Sequence, residues 1–160
     1  MMSGVSRITN LYRSLTLQDW RDLVALGASL VYVRFRMSLF PACLNRRWLF
    51  SRSGRGAAPV VSAYARIDRM LTLVGCVARL SGRFGMRDAT CLRRSLALRA
   101  RLSSLGIRAE LRYGSKKSLS GIHMHAWLRA GPLDLDSYGF SSAFAPFLWK
   151  SEAPSKATDC

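Results

Sequence analysis

From Trp20 onward, apolar residues recur three and four positions apart, at Leu23, Val24, Leu26, Leu30 and Val31, the spacing that lines one side of an α-helix. Thr16-Leu17-Gln18-Asp19 precedes this run. It reads as a helix start, because the threonine oxygen can accept from the amide three residues on and Asp19 sits at the positive end of the helix dipole. Pro41 closes the helix. Before Thr16 the chain carries Ser3, Gly4, Ser6, Thr9 and Asn10 with little periodicity, the pattern of a loose lead-in. Asn45 to Pro59, rich in arginine, glycine, serine and alanine, has the composition of a connection. A second helix is predicted from Val61 to Leu80, with Ala65, Ile67, Met70, Leu71, Val74 and Val77 as its apolar stripe, and a turn at Gly82 and Gly85.

Beyond Asp88 the pattern carries more chemistry. With Asp88 as N-cap, Cys91 falls in the first turn of a helix that runs to Leu105 and stops at Gly106. Cys91, Ser95, Leu98, Leu102 and Leu105 repeat at helical spacing and share its inward side. The period then changes to two. Ile107, Ala109, Leu111 and Tyr113 alternate with Arg108, Glu110 and Arg112, as in a half-buried strand, and Gly114 to Gly121 reads as a loop. A second strand from Ile122 to Arg129 places Ile122, Met124, Ala126 and Leu128 on one face and His123, His125 and Trp127 on the other. Gly131-Pro132 turns the chain into Leu133-Asp134-Leu135-Asp136.

The length of that turn decides which face the aspartates occupy. An even turn pairs Arg129 with Asp134 and Trp127 with Asp136, on the His125 face, with Asp136 the diagonal neighbour of the imidazole; a three-residue turn reverses this. A fold of class α+β follows, with helices packed on a small antiparallel sheet whose strands are sequential. We divide the chain into an N-terminal helical segment and linker, 1–58, and a core, 59–160.

Composition narrows the function classes. The formal charge is +16, from 25 Lys and Arg against 9 Asp and Glu, which favours an anionic partner without naming one. The arginines form no block and no aromatic ladder runs between them, so nucleic acid is not an expected partner. The apolar run Leu23–Val33 is far shorter than the roughly 20 residues that cross a bilayer, and no stable membrane insertion is expected. Cys43, Cys76, Cys91 and Cys160 include no C-x-x-C pair, so neither a disulfide framework nor a zinc ribbon is indicated and a cytoplasmic setting fits. His123 and His125 could join Cys91 or Asp136 around zinc, but the spacing matches no recognised signature; no metal and no cofactor are expected.

Cys91 at a helix start gains from the dipole and from unpaired amides, which favour the thiolate and can hold an oxyanion. A histidine on the adjoining strand can take the thiol proton, and a carboxylate on the next can fix its tautomer. Set against this, Cys91 is equally at home as a small core residue, His125 as a structural histidine, and Asp134 and Asp136 as solvated residues near a turn. The order helix-Cys, strand-His, strand-Asp favours a catalytic site of Cys91, His125 and Asp136.

Three stretches carry a family resemblance: Cys91-Leu92-Arg93-Arg94-Ser95-Leu96-Ala97-Leu98, then Leu105-Gly106-Ile107-Arg108-Ala109-Glu110-Leu111, then His125-Ala126-Trp127 and the hairpin after it. They resemble the transglutaminase-like peptidases of lasso-peptide biosynthesis, the B-type leader peptidases, in the split form without a leader-recognition domain. The resemblance covers about residues 15 to 137. It implies a transglutaminase/papain-like fold and a cysteine peptidase that removes the leader from a ribosomally made precursor peptide through a thioester intermediate. It maps the triad onto Cys91, His125 and, across a hairpin one residue shorter than usual, Asp136, with Asp134 as substitute. It further implies a separate winged-helix protein that binds the leader and a lasso cyclase as partners. The apolar and basic surface of the Trp20–Phe40 helix is expected to form part of the docking site, with simple packing onto the catalytic domain as the alternative. Two alternatives stand beside this: an acyl transferase that passes the thioester to an amine, and a non-catalytic basic module for an anionic partner.

Overall fold

A computed structural model describes residues 15–40, 63–83, 90–136 and 139–147. Among these, three helices, α1 (Leu17–Leu39), α2 (Tyr64–Arg83) and α3 (Cys91–Ser104), precede four strands, β1 (Glu110–Ser118), β2 (Gly121–Ala130), β3 (Leu133–Leu135) and β4 (Ala145–Pro146), with one turn of 3-10 helix, Ser141–Ala143, before β4. The strands form one antiparallel sheet in the order β3-β2-β1-β4. The fold is α+β.

α1 begins as its sequence dictates. The Thr16 hydroxyl accepts from the Asp19 amide at 3.2 Å, and the Asp19 carboxylate accepts from the Thr16 amide at 2.9 Å, a reciprocal cap that satisfies amides otherwise orphaned at a helix start. One side of α1 is buried, and it is only partly apolar. Leu26, Leu30 and Val33 share it with Asp19 and Asp22. Asp22 receives Arg101 Nε of α3 at 2.9 Å and Arg66 Nη2 of α2 at 3.3 Å, while Arg69 Nε reaches Asp19 at 3.3 Å. Burial pushes the Asp22 carboxyl up, but the hydrogen bonds from Arg101 and Arg66 outweigh it and hold the group below its usual range. Asp19 is likewise held low, chiefly by the Thr16 amide. Two aspartates thus fasten α1 to both other helices.

The core joins α1 and α2, through Leu26, Leu30, Ile67, Met70, Leu73 and Val74, to Ala97, Leu98 and Leu102 of α3 and to Leu128, Ala130 and Leu135 of the sheet. Several boundaries differ from expectation. The N-cap of α3 is Thr90, whose hydroxyl accepts from the Arg93 amide, so Cys91 is the first helical residue; Asp88 lies outside the described residues. Gly82 is inside α2, not in a turn after it, whereas Gly85, Pro41 and Val61 lie outside the described residues. The segment given to a loop, Gly114 to Gly121, is mostly strand: β1 continues to Ser118 and pairs with β2 down to Ser118 opposite Gly121. Ile107 to Ala109 precede β1 instead of belonging to it.

Candidate functional site

The two faces of β2 are unlike. Ala126, Leu128 and Ala130 are buried toward the helices, and His125 and Trp127 project the other way. Further toward the β1–β2 turn the strand is exposed, with Ile122 at 75% and Met124 at 67%. His123 sits in this exposed stretch and its Nε2 meets the Ser120 hydroxyl at 2.9 Å. The expected faces are those observed.

The Gly131-Pro132 turn has two residues, and Arg129 lies opposite Asp134 while Leu128 lies opposite Leu135. The next residue, Asp136, is thereby carried onto the outer face. Its Oδ2 is 3.0 Å from His125 Nε2, with the two side chains only 4% and 7% exposed. The same oxygen accepts from the Phe140 amide at 2.7 Å, and the Asp136 carbonyl accepts from the Gly139 amide at 3.1 Å. Asp136, held from two sides, is the aspartate bonded to His125; Asp134 is exposed beside Arg129.

β3 and β4 lie at opposite edges of the sheet, so the chain between them crosses it. On the way Phe144 comes to 5.0 Å from the His125 ring, and Trp127 stacks 5.9 Å from it. This close crossing needs Gly114, which pairs with both His125 and Pro146. A Cβ there would stand 2.8 Å from the Ala145 carbonyl oxygen, 2.9 Å from Trp127 Cη2 and 3.0 Å from Phe144 Cβ. Gly114 and Phe144 were not singled out from the sequence. The signal available for Gly114 was a glycine within an alternating run, which marks close backbone approach in a strand. The contribution of Phe144 depends on a crossing that no local pattern encodes.

Cys91 is half-buried and unbonded to another cysteine. One turn further along the same side of α3, the Ser95 hydroxyl donates to the Ala126 carbonyl at 3.1 Å. The start of α3 is therefore pinned to β2 at the residue next to His125, and Cys91 lies about 5 to 6 Å further along the helix axis from Ser95. Behind this contact, burial lowers Arg99 and raises Tyr113, the residue opposite Ala126.

Among the described residues no three His, Cys, Asp or Glu side chains converge as a metal site, and no helix is long and apolar enough to cross a membrane. No curated protein and no solved structure matches the chain. A family model described as the Transglutaminase-like superfamily matches residues 29–145, from the middle of α1 to the start of β4. Spanning most of the sequence and every element that positions the site, this match shows that the chain belongs to the transglutaminase-like superfamily.

Proposed function

We propose that the chain is a cysteine peptidase that removes the leader from a lasso-peptide precursor, with Cys91 as nucleophile, His125 as its base and Asp136 as the group that orients the base. The observation that carries this reading is the buried contact between His125 Nε2 and Asp136 Oδ2 at 3.0 Å. A carboxylate accepting from Nε2–H leaves the lone pair of a neutral imidazole on Nδ1, so Nδ1 is the atom that takes the thiol proton. The Phe140 amide keeps the carboxylate aimed, which favours the imidazolium once formed.

Cys91, at the first position of α3, has the dipole's positive end beside it, and the amides of Cys91 and Leu92 have no acceptor within the helix. In the reaction the thiolate sulfur bonds to the scissile carbonyl carbon. The carbonyl oxygen carries the negative charge toward those amides, and the imidazolium returns its proton to the departing amine. Water, deprotonated by the same ring, then cleaves the thioester and releases the acid. A separate leader-binding winged-helix protein and the lasso cyclase are the expected partners.

The test is cleavage of a lasso-peptide precursor, read by mass spectrometry, with and without a leader-binding protein. The expected result is a leader-sized fragment from wild type and none from Cys91→Ala. Cleavage by Cys91→Ala, or no cleavage by wild type with the partner present, defeats the peptidase reading.

A further inference from the structure

β3 covers only the last part of β2. It pairs with residues 128–130, while β2 itself begins at Gly121. Among the described residues no strand and no other backbone bond occupies this edge of β2 between Gly121 and Trp127.

Four observations fix which backbone groups point outward there. The turn between Ser118 and Gly121 has two residues, so Gly121 and every second residue after it bond to β1. The two-residue turn between Ala130 and Leu133 makes Ala130 face β3, with the same parity. The Tyr113 carbonyl accepts from the Phe147 amide at 2.8 Å, away from β2, so its opposite number Ala126 also points away from β1. Finally, the Ala126 carbonyl is the one that receives the Ser95 hydroxyl. Ile122, Met124 and Ala126 therefore present their amides and carbonyls along the edge, with the Ala126 carbonyl used by α3.

From this we infer that the open edge of β2 binds an extended segment of the peptide substrate as an added strand, bonded mainly through the amide and carbonyl of Met124. The inference rests on the peptidase reading, and it specifies how that site takes its substrate. Unpaired edge groups are a template for pairing with an extended peptide. This edge runs directly into the residues at issue: Met124 precedes His125, and Ala126 is tied to the helix that starts at Cys91. A peptide laid along it is drawn out flat beside the nucleophile. Recognition lies in the substrate's backbone at alternate residues, while side chains opposite the exposed Met124 and Ile122 meet apolar surface.

Replacing each amide of the precursor around the cut bond by an ester, one at a time, tests this with wild-type enzyme. The expected result is a period-two pattern, with kcat/KM falling about three- to tenfold at every second position and little between. Met124→Pro, which removes one outward amide and spares the bonds of His123 and His125 to β1, raises KM about tenfold, whereas Met124→Ala does not. Hydrogen exchange in Cys91→Ala, followed by NMR with saturating precursor, is expected to slow at the Met124 amide.

Cleavage without period-two dependence and without slowed exchange overturns the added strand and leaves the peptidase standing. Slowed exchange at Met124 with no cleavage by wild type supports the strand and sinks the peptidase. Neither cleavage nor slowing overturns it too, as does slowing that follows protein concentration without peptide, which assigns the edge to a second copy of the chain.

Discussion

On the inner face of the sheet, Leu128 and Ala130 join a core that draws on α1, α2 and α3 together. On the outer face, His125 and Trp127 are covered by one crossing segment, through Phe144 and the Asp136 carboxylate. The first arrangement is redundant, since many apolar contacts share the load and each is worth little alone. The second is thin, and single atoms matter in it: one carboxylate oxygen receives both the imidazole and the Phe140 amide. Under the proposed catalytic roles, stability and chemistry are divided between this core and the His125 site, and substitutions on either side should separate them.

The largest effects belong to the proposed catalytic residues. Cys91→Ala and Asp136→Asn are expected to lower kcat/KM by about a thousand- to ten-thousandfold while leaving the urea midpoint near wild type. A matching loss of stability in Asp136→Asn would break the division. On the inner face, Leu98→Ala removes a side chain that is 2% exposed and should cost about 2–5 kcal/mol in urea unfolding, with kcat of the folded fraction unchanged.

The aspartates of α1 give the helical layer a pH signature. Asp22 and Asp19 titrate below the ordinary aspartate value of 3.8 in the folded state, so the unfolded chain takes up protons first. Their contribution is complete above that value and is lost as pH falls through the lower folded pKa. Stability should therefore drop on acidification below pH 3.8, and Asp22→Asn should flatten that drop in urea midpoints measured as a function of pH.

Gly114→Ala drives a methyl into the Ala145 carbonyl, Trp127 and Phe144. It should cost about 1–3 kcal/mol and, unlike Leu98→Ala, reduce kcat as well, because the displaced elements cover His125. The smallest effect is that of Ser95→Ala, which deletes the hydroxyl bonded to the Ala126 carbonyl; about 1 kcal/mol of stability is expected to go. A fall in kcat with KM unchanged would locate its role in setting the start of α3 against β2.

The helical layer was the more legible of the two in the sequence. Helical spacing and the Thr16–Asp19 pair define α1 because cap and stripe are local properties, realised in the reciprocal hydrogen bonds at its start. The pairing of Arg129 with Asp134 was also within reach, since turn length and a period of two determine it. The outer end of the β1–β2 hairpin was not. Ser115, Lys116, Lys117 and Ser118 stand clear of the core, so no apolar alternation marks them as strand. Nor does any local signal assign Asp22 to Arg101, because the partners lie far apart along the chain and meet only once three helices pack.

The turn at Gly131-Pro132 gives this architecture an arithmetic constraint. Because β3 begins immediately after two residues, a single codon gained or lost there swaps every outward side chain for its neighbour and sends Asp136 to the helix side. Two codons together restore the phase. The hairpin can therefore drift in composition far more freely than in length, and a graft or a loop library built on this scaffold should be counted modulo two.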